Sequence, residues 1–418
     1  MAANQYQQYL NSLRSPFQKL CKLEFLQPDN TVAFVISNNP KDKRSRCLLQ
    51  DGSISVNLQN GQRRQASVTF DNQSGEFDYS VNKLWFGTKI RLSEGLVLPD
   101  GTEFYLPQGI FYIKDPHEER TPNRTVITHT LVDKWAMLDG TLGGHLDGIY
   151  EVPMGSPIFP AIASVLSEGM GNGVPYDNVT PVFTNYYNGM TTTLPDGSTV
   201  SNVVTPYTLR VASDTGTRAE VILGLNTMLA GWVGYDATGR FRLMPSQDDI
   251  VDTSKPVQWS FDPSQTQFLG ATYDIKSSEV RNDVIVLGEA LGTSPQANGR
   301  ATNLDPASDT NVNLIGYKTL RISKQGFYTD DICEAQAVFE LKRRTVLQKA
   351  VSISSTQMFH LSENNLVEIR RPDKPGSPVE RHLIQGFTRP LGETGAMTIN
   401  AVSVQDFPTA TITKQSWE

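Results

Sequence analysis

Apolar and polar residues alternate with a period of two along most of this chain, in short runs separated by turn residues. Such runs predict β-strands. Lys22-Leu-Glu-Phe-Leu26 leads into the turn signal Pro28-Asp-Asn-Thr31, and a second run covers 32–36. Further runs cover 53–58, 65–70, 89–92, 109–114 and 125–135, with tight turns at Asn60-Gly61 and Asp100-Gly101. In the last run Ile127, His129 and Leu131 alternate with Val126, Thr128 and Thr130. Both rows are partly apolar, as in a strand covered on both faces. Six or seven short strands here predict a small barrel or sandwich. Residues 4–20, with Tyr6, Tyr9, Leu10, Leu13 and Phe17, read equally as a short docking helix or a frayed terminus.

The texture changes near Asp139, where Gly140, Gly143, Gly144 and Gly148 mark a loop. Ser156-Pro157 predicts a helix start, with Ser156 as cap and Pro157 at the first helical position; Ile158, Ile162, Val165 and Leu166 form the stripe. Residues 175–204 predict a long loop or irregular hairpin. Thr217 with Glu220 reads as a capping box before a helix that buries Val221, Leu223, Leu225, Met228 and Leu229 and stops at Gly231. Runs 232–235 and 240–244, joined by Asp236-Ala-Thr-Gly239, predict a hairpin ended by Pro245. Polar, Pro-punctuated residues 246–263 form a junction. Runs 268–275, 283–289 and 316–322 predict strands, and 291–311 predicts an exposed loop. A helix over 329–348 is expected to face inward through Ile332, Ala335, Val338, Phe339 and Leu341, with Arg343-Arg344 near its end. Four β-runs follow, at 351–354, 366–370, 382–387 and 397–404. From 405 no period remains, and a flexible or docking tail is expected.

At 418 residues the chain exceeds one ordinary core. With 38% hydrophobic and 19% charged residues it is folded rather than disordered. A net charge of −7 argues against non-specific nucleic-acid binding over the whole surface, though not against a channel through which nucleic acid slides. Cys21, Cys47 and Cys333 are odd in number and far apart, which gives no disulfide framework and fits a reducing compartment. Residues 1–10 lack an apolar core, so no signal peptide is expected. No run approaches ~18 apolar residues, so no membrane span is expected.

Candidate chemistry is sparse. His117, His129, His145, His360 and His382 lack metal-ligand spacing, and His129 and His382 in β-runs read as hydrogen-bonded structural histidines. The pairs Asp248-Asp249 and Asp330-Asp331 suit loops and helix starts better than a glycosidase cleft. Gly169-x-Gly171-x-Gly173 follows a helix rather than preceding one, and Gly316-Tyr-Lys318-Thr319 lacks the upstream glycine of a phosphate loop. Asn303, Asp305, Asp309 and Asn311 read as a solvated acidic loop rather than a calcium loop. Basic runs occur at Lys41, Lys43, Arg44 and Arg46, at Arg63-Arg64, at Lys342-Arg-Arg344 and at Arg370-Arg371; the first, the densest, follows Asn38-Asn-Pro40 and reads as a solvated loop or as a contact for an acidic neighbour or DNA. No catalytic, cofactor-binding or metal residue is assigned, and no cofactor is expected. Stacking aromatics at Trp85, Trp232 and Tyr186-Tyr187 motivate an alternative, a host-glycan-binding adhesion protein. A cell-wall-degrading enzyme with a cryptic carboxylate site is a further alternative.

The order of these units resembles the baseplate hub proteins of bacteriophage tails, contractile or long-tailed, and of phage-derived particles. Four stretches carry the resemblance. The first runs from Ala66-Ser-Val-Thr-Phe70 through Trp85-Phe-Gly-Thr-Lys-Ile-Arg-Leu92 and Gln108-Gly-Ile-Phe-Tyr-Ile113 to Leu131-Val-Asp-Lys-Trp135. The second is the helix-hairpin from Leu225 to Pro245, and the third is Val280-Arg-Asn-Asp-Val-Ile-Val286. The fourth links Val351-Ser-Ile-Ser354, Leu366-Val-Glu-Ile369 and Met397-Thr-Ile-Asn400. The resemblance implies a mainly β, α+β chain with two small β-barrel domains and attached α/β modules, forming a trimeric ring. It implies an arm at 1–18, a first barrel at 19–135, an α/β domain at 136–261 and strands with a long helix at 262–348. Residues 349–408, with strands of 262–290, would form the second barrel, and 409–418 a tail. A homotrimer would adapt the sixfold tail tube to a threefold spike. Its implied partners are a tail tube or distal tail protein, a central spike protein and a tape measure protein, with DNA passing through the lumen unbound. The chain would be made in the host bacterial cytoplasm and reside in the virion. The family shares no catalytic residues.

Overall fold

A computed structural model describes residues 3–78, 88–168, 180–183, 191–194, 198–201, 203–212, 216–229, 231–245, 255–275, 277–290, 295–324, 327, 330–345, 349–373, 376, 379–392, 394–404 and 411–412. The alternation of residues 19–133 becomes seven strands whose pairing closes on itself. β1 (Lys19–Leu26) lies between β2 (Val32–Ser37) and β5 (Lys89–Val97). β5 pairs with β6 (Glu103–Thr121), β6 with β7 (Arg124–Asp133) and β7 with β4 (Arg64–Asp71). β3 (Ser45–Asn57) pairs with both β4 and β2 and completes the cycle. Ala66, Val68 and Phe70 of β4 and Ile127, His129 and Leu131 of β7 are all buried, so the period-two pattern fixes which face turns inward. Gly95 is forced by this closure: a Cβ there would lie 1.7 Å from the Phe104 carbonyl oxygen across the ladder.

Six more strands extend the same sheet, in the order β15 (Val257–Phe261), β21 (Leu366–Arg370), β22 (Val379–Pro390), β23 (Met397–Ser403), β20 (Lys349–Ser355) and β16 (Phe268–Ile275). β22 also pairs with β3, so thirteen strands form one sheet. One hydrophobic core runs through both groups of strands, from Leu23, Val68 and Phe111 to Phe261, Ile353 and Ile399. Helix α1 (Ala3–Ser12) docks on that core through the fully buried Tyr9, with Leu13 just beyond it, so this segment is the docking helix.

Two smaller units hang from the sheet. Between β7 and β15 lie β8 (Tyr150–Val152), α2 (Ile158–Ser167), β9 (Val182–Phe183), β10 (Thr191–Thr193), β11 (Thr199–Ser201), β12 (Leu209–Val211), α3 (Arg218–Thr227), β13 (Gly231–Tyr235) and β14 (Phe241–Pro245). β8 pairs β12, β10 pairs β11, and β13–β14 form the expected hairpin, with β9 parallel to β14. Thr217 caps α3 by accepting from the Glu220 N–H at 3.3 Å. The second unit interrupts the antiparallel partners β16 and β20. It orders β19 (Thr319–Ser323), β17 (Asp283–Leu287), β18 (Asn298–Thr302) and β24 (Thr411–Ile412) under α5 (Asp330–Thr345), with a short α4 (Val312–Ile315) at one end. Of residues 262–290, therefore, β16 joins the large sheet and β17 the small one, while β15 joins the large sheet from before 262.

Several local expectations change. Pro157, not Ser156, occupies the α2 cap position, in extended conformation and with no side-chain cap bond. Ser156 is engaged elsewhere: it donates its N–H to Thr205 Oγ1 and accepts from the Thr205 N–H, beside the Pro157–Val204 bridge. Gly231 begins β13 instead of stopping α3, whose cap is Met228. Residues 298–302, expected within an exposed loop, form β18, and Asn303, Thr310 and Asn311 are buried. α5 faces inward through Cys333, Ala337 and Leu341; Ile332, Ala335 and Phe339 have side chains outside the described set, and Val338 is half-buried. A Cβ at Gly299 would meet the α5 backbone at 2.3 Å, so glycine lets the helix settle onto β18.

His129 departs from the hydrogen-bonded histidine expected. Neither ring nitrogen has a partner among the described residues, and the ring lies 5.2 Å from that of Phe70 in the core. Burial pushes its pKa down to about 4. The unfolded chain therefore takes up the proton that the fold refuses, and stability falls as pH drops from about 6.5 towards 4. His129→Leu should remove this component. Urea unfolding at pH 7 and pH 4.5 should show wild type losing roughly 2–3 kcal/mol more than the variant; equal losses would refute the assignment.

Candidate functional site

The candidate site is the seam where the two strand groups meet. β3 gives one edge to β4 and shares the other, with Ser45 and Leu48 facing β2 and Ser53–Asn57 facing β22. Main-chain bonds thus run continuously from one group into the other. At the end of this pairing Arg389 stands opposite Ile54. Its side chain enters the core with no exposure.

There it meets Glu94 of β5, also fully buried. Arg389 Nε donates to Glu94 Oε2 at 2.9 Å and Nη2 to the same oxygen at 2.5 Å. Nη2 also reaches Gln108 Oε1 at 2.7 Å, and Nη1 donates to the Met358 carbonyl at 2.7 Å. The guanidinium lies 5.3 Å from the Phe359 ring and 5.1 Å from Phe387, so its faces are also covered. Lys19, at the start of β1, places Nζ 3.1 Å from Glu94 Oε1 and donates to Gln357 Oε1 and, at 2.6 Å, to the Pro390 carbonyl. Gln108 Nε2 donates to the Phe359 carbonyl at 2.9 Å.

A second pair lies beside the first. Arg64 Nη2 bonds Glu363 Oε2 and, at 2.9 Å, Ser362 Oγ, while Nη1 donates to the Gln108 carbonyl at 3.0 Å. Burial pushes the Glu363 carboxyl up, but Arg64 and Ser362 outweigh it and hold its pKa below the ordinary value. Burial lowers the Lys19 pKa against the opposing pull of Glu94. That direction eases the excess of three cations over two carboxylates in this enclosed space. Tyr9 locks α1 to the same loop: its hydroxyl accepts from the Phe359 and His360 N–H groups at 3.0 and 3.1 Å and lies 3.1 Å from His360 Nδ1.

This arrangement positions; it presents no reacting group. Arg389, Glu94, Lys19, Arg64 and Glu363 are all held by partners within the seam, while Arg64 Nε has no hydrogen-bond partner among the described residues. Asp133, whose pKa burial pushes up to about 6, accepts three backbone N–H groups from Arg63, Arg64 and Trp135. The five histidines stay dispersed, and among the described residues no three His, Cys, Asp or Glu gather as metal ligands. Asn303 donates to Ser308 and Thr310, and Asn311 to the Asp305 carbonyl, so these residues hold their own loop together, with Asn303 and Asn311 buried rather than solvated. In the densest basic run, Arg44 pairs with Asp42 at 2.9 Å and Arg46 with Glu76 at 3.0 Å. Arg63 and Arg64 are buried. Trp232 is half-buried on β13; Trp85, Tyr186, Tyr187, Asp248 and Asp249 and the glycine series 169–173 lie outside the described residues.

Glu94 and Arg389 were absent from the sequence expectations, although a signal existed. Leu92-x-Glu94-x-Leu96 and Phe387-x-Arg389-x-Leu391 each place a charge in the inward phase of a strand. The runs assigned from sequence ended at 92 and 387, two residues short in both cases.

No family model matches the chain, and no curated protein matches it. Solved structures do. A tail protein from Neisseria meningitidis MC58 superposes with a TM-score of 0.60 at 10% identity, covering 93% of this chain and 97% of that one. The 43 kDa tail protein of prophage MuSo2 from Shewanella oneidensis gives 0.55 at 11% identity, covering 92% and 98%. Prophage tail protein gp18 from Listeria monocytogenes EGD-e gives 0.52 at 9% identity, covering 92% and 94%. The fold is that of phage-type tail proteins, in line with the resemblance carried by the sequence.

The seam predicts a specific energetic asymmetry. Arg389→Met strands Glu94 without its main partner and should cost about 3–5 kcal/mol in urea unfolding. Adding Glu94→Gln should recover more than half of that loss, because the uncompensated charge is gone. Strictly additive losses would mean that the two side chains do not act as a pair.

Proposed function

We propose that this chain is a structural component of a phage-type tail, a baseplate hub that works as a homotrimer. The observation that carries the reading is the fusion of two β-strand groups into one sheet through β3 and β22. Each group is read as a small barrel-like domain, the first spanning 19–135 and the second built mainly from 349–408 with earlier strands. Three chains would then set six such domains around an axis. A sixfold tube could rest on that ring while a threefold spike grips its other face. The buried ionic seam fits this role, since an adapter must hold its two domains at one fixed angle under load. The likeness to tail proteins over nearly the full length of both chains supports the same reading.

The partners that follow are a tail tube or distal tail protein, a central spike protein and a tape measure protein. DNA would pass the lumen without being held, in keeping with a net charge of −7. Function then lies in symmetry and packing rather than in catalysis, and the chain would reside in the virion tail after synthesis in the host cytoplasm. No described helix is long and apolar enough to cross a membrane. Among the described residues no observation favours the glycan-binding or wall-degrading alternatives.

Multi-angle light scattering of the purified chain should give three times its 46.3 kDa mass. Electron microscopy of the particle should locate it in a threefold ring at the end of the tube. A monomer at high concentration, together with a particle lacking that ring, would end the proposal.

A further inference from the structure

The N-terminal helix α1 bridges both strand groups. Its sequence, Ala3-Asn-Gln-Tyr-Gln-Gln-Tyr-Leu-Asn-Ser12, contains no charged side chain. The Tyr9 ring packs against Phe104 of β6 at 5.2 Å and against Phe359, in the loop between β20 and β21, at 6.5 Å. Its hydroxyl accepts the Phe359 and His360 main-chain N–H groups at 3.0 and 3.1 Å. A phenol oxygen has two lone pairs, and both are now occupied. The Tyr9 proton therefore goes to His360 Nδ1, 3.1 Å away. This network assigns the tautomer: His360 carries its hydrogen on Nε2, and Nδ1 is a bare acceptor. Burial pushes the Tyr9 pKa up, so the phenol keeps its proton and remains the donor.

A proton on Nδ1 reverses that bond. Two donors then face each other, and the Tyr9 oxygen can accept the ring N–H only by giving up a main-chain N–H. Either way a polar group in the interior loses its partner. The other polar ties lie past the end of the helix: Gln267 Nε2 donates to the Leu13 carbonyl at 2.9 Å, and Arg14 lies 5.8 Å from the Trp259 ring.

We propose that α1 is an acid-released latch, held across the two strand groups by Tyr9 while His360 is neutral and freed when His360 takes up a proton. Release uncovers Phe104 and Phe359 beside the seam. The inference does not depend on the oligomeric state.

The surroundings set the pH at which the latch opens. The His360 ring lies 5.7 Å from that of Trp259, and Nε2 makes no hydrogen bond among the described residues. Burial pushes the His360 pKa down to about 4; the Gln258 carbonyl of β15 opposes this, and Arg389 of β22 adds to it. The remaining charges are held by partners of their own, Arg389 and Lys19 by Glu94, and Glu363 by Arg64. Tyr6, half-buried on α1, has its pKa raised by burial and stays neutral. Once solvated, His360 returns to its ordinary value, so the latch holds fully above about pH 6.5 and weakens as pH falls towards about 4.

Hydrogen exchange on the full chain, corrected for the intrinsic effect of pH, tests the latch. Protection of residues 3–13 should fall at least about tenfold between about pH 7 and about pH 4.5. His360→Asn, whose Oδ1 accepts in place of Nδ1 but does not titrate, should keep that protection within about twofold at both pH values. His129→Leu, which removes the other buried histidine, should leave the loss in place. Tyr9→Phe should lower protection of 3–13 at least about fivefold already at pH 7. A wild-type loss below about twofold, or an equal loss in His360→Asn, overturns the proposal. Where His360→Asn does not fold, Tyr9→Phe decides: protection equal to wild type at pH 7 overturns it.

Discussion

Glu94 and Arg389 set the terms for the rest of the molecule. Neither is exposed, and a charge buried without its partner costs several kcal/mol. The two must therefore meet, and they come from strand groups nearly 300 residues apart in sequence. Their meeting is possible only in the register that places Arg389 opposite Ile54 on β3. In that register Lys19, Gln108 and Gln357 fill the remaining hydrogen-bonding positions. Such a pair adds little net stability over a well-packed apolar pair, but it penalises every other arrangement. Its contribution here is to specify a single relation between the two strand groups.

The smaller units follow from that frame. The α2–α3 unit leaves the sheet after β7 and is tied back to it, with Val233 accepting from the Gly61 N–H and donating to Asn60 Oδ1. Lys134 reaches the Gly239 carbonyl at 3.1 Å in the same contact. The β17–β19 unit leaves and re-enters between the antiparallel partners β16 and β20, so its own core of Val284, Val286, Ala301, Cys333, Ala337 and Leu341 forms without disturbing the sheet. The result is a double-β body with two peripheral units. Main-chain bonds run continuously through β3 and β22, and the smaller units are carried outside them.

Much of this architecture was legible in the chain. Period-two runs located nearly all strands of the large sheet, because burying one face imposes that period whatever the fold. Thr217 with Glu220 located α3, since an N-cap is a local contact. Failures had a common cause in distance. Ser156 resembled a cap but is held extended by Thr205, almost fifty residues away. Residues 298–302 are too poor in large apolar side chains to resemble a strand, yet they are covered because Gly299 lets α5 approach. Tyr9 could be frayed or docked on sequence grounds, and its hydrogen bonds to residues 359 and 360 decide for docking.

The sequence by itself determined the strand-rich class, the two helix-bearing excursions and the resemblance to tail hubs. These depend on composition, local period and the order of units. Tertiary structure decided that β3 serves both strand groups, that β17 leaves the large sheet, and that Glu94 and Arg389 are partners rather than surface charges. Each of those outcomes depends on desolvation and main-chain pairing between residues far apart in the chain. No local pattern encodes which distant strand supplies the missing edge or the opposite charge.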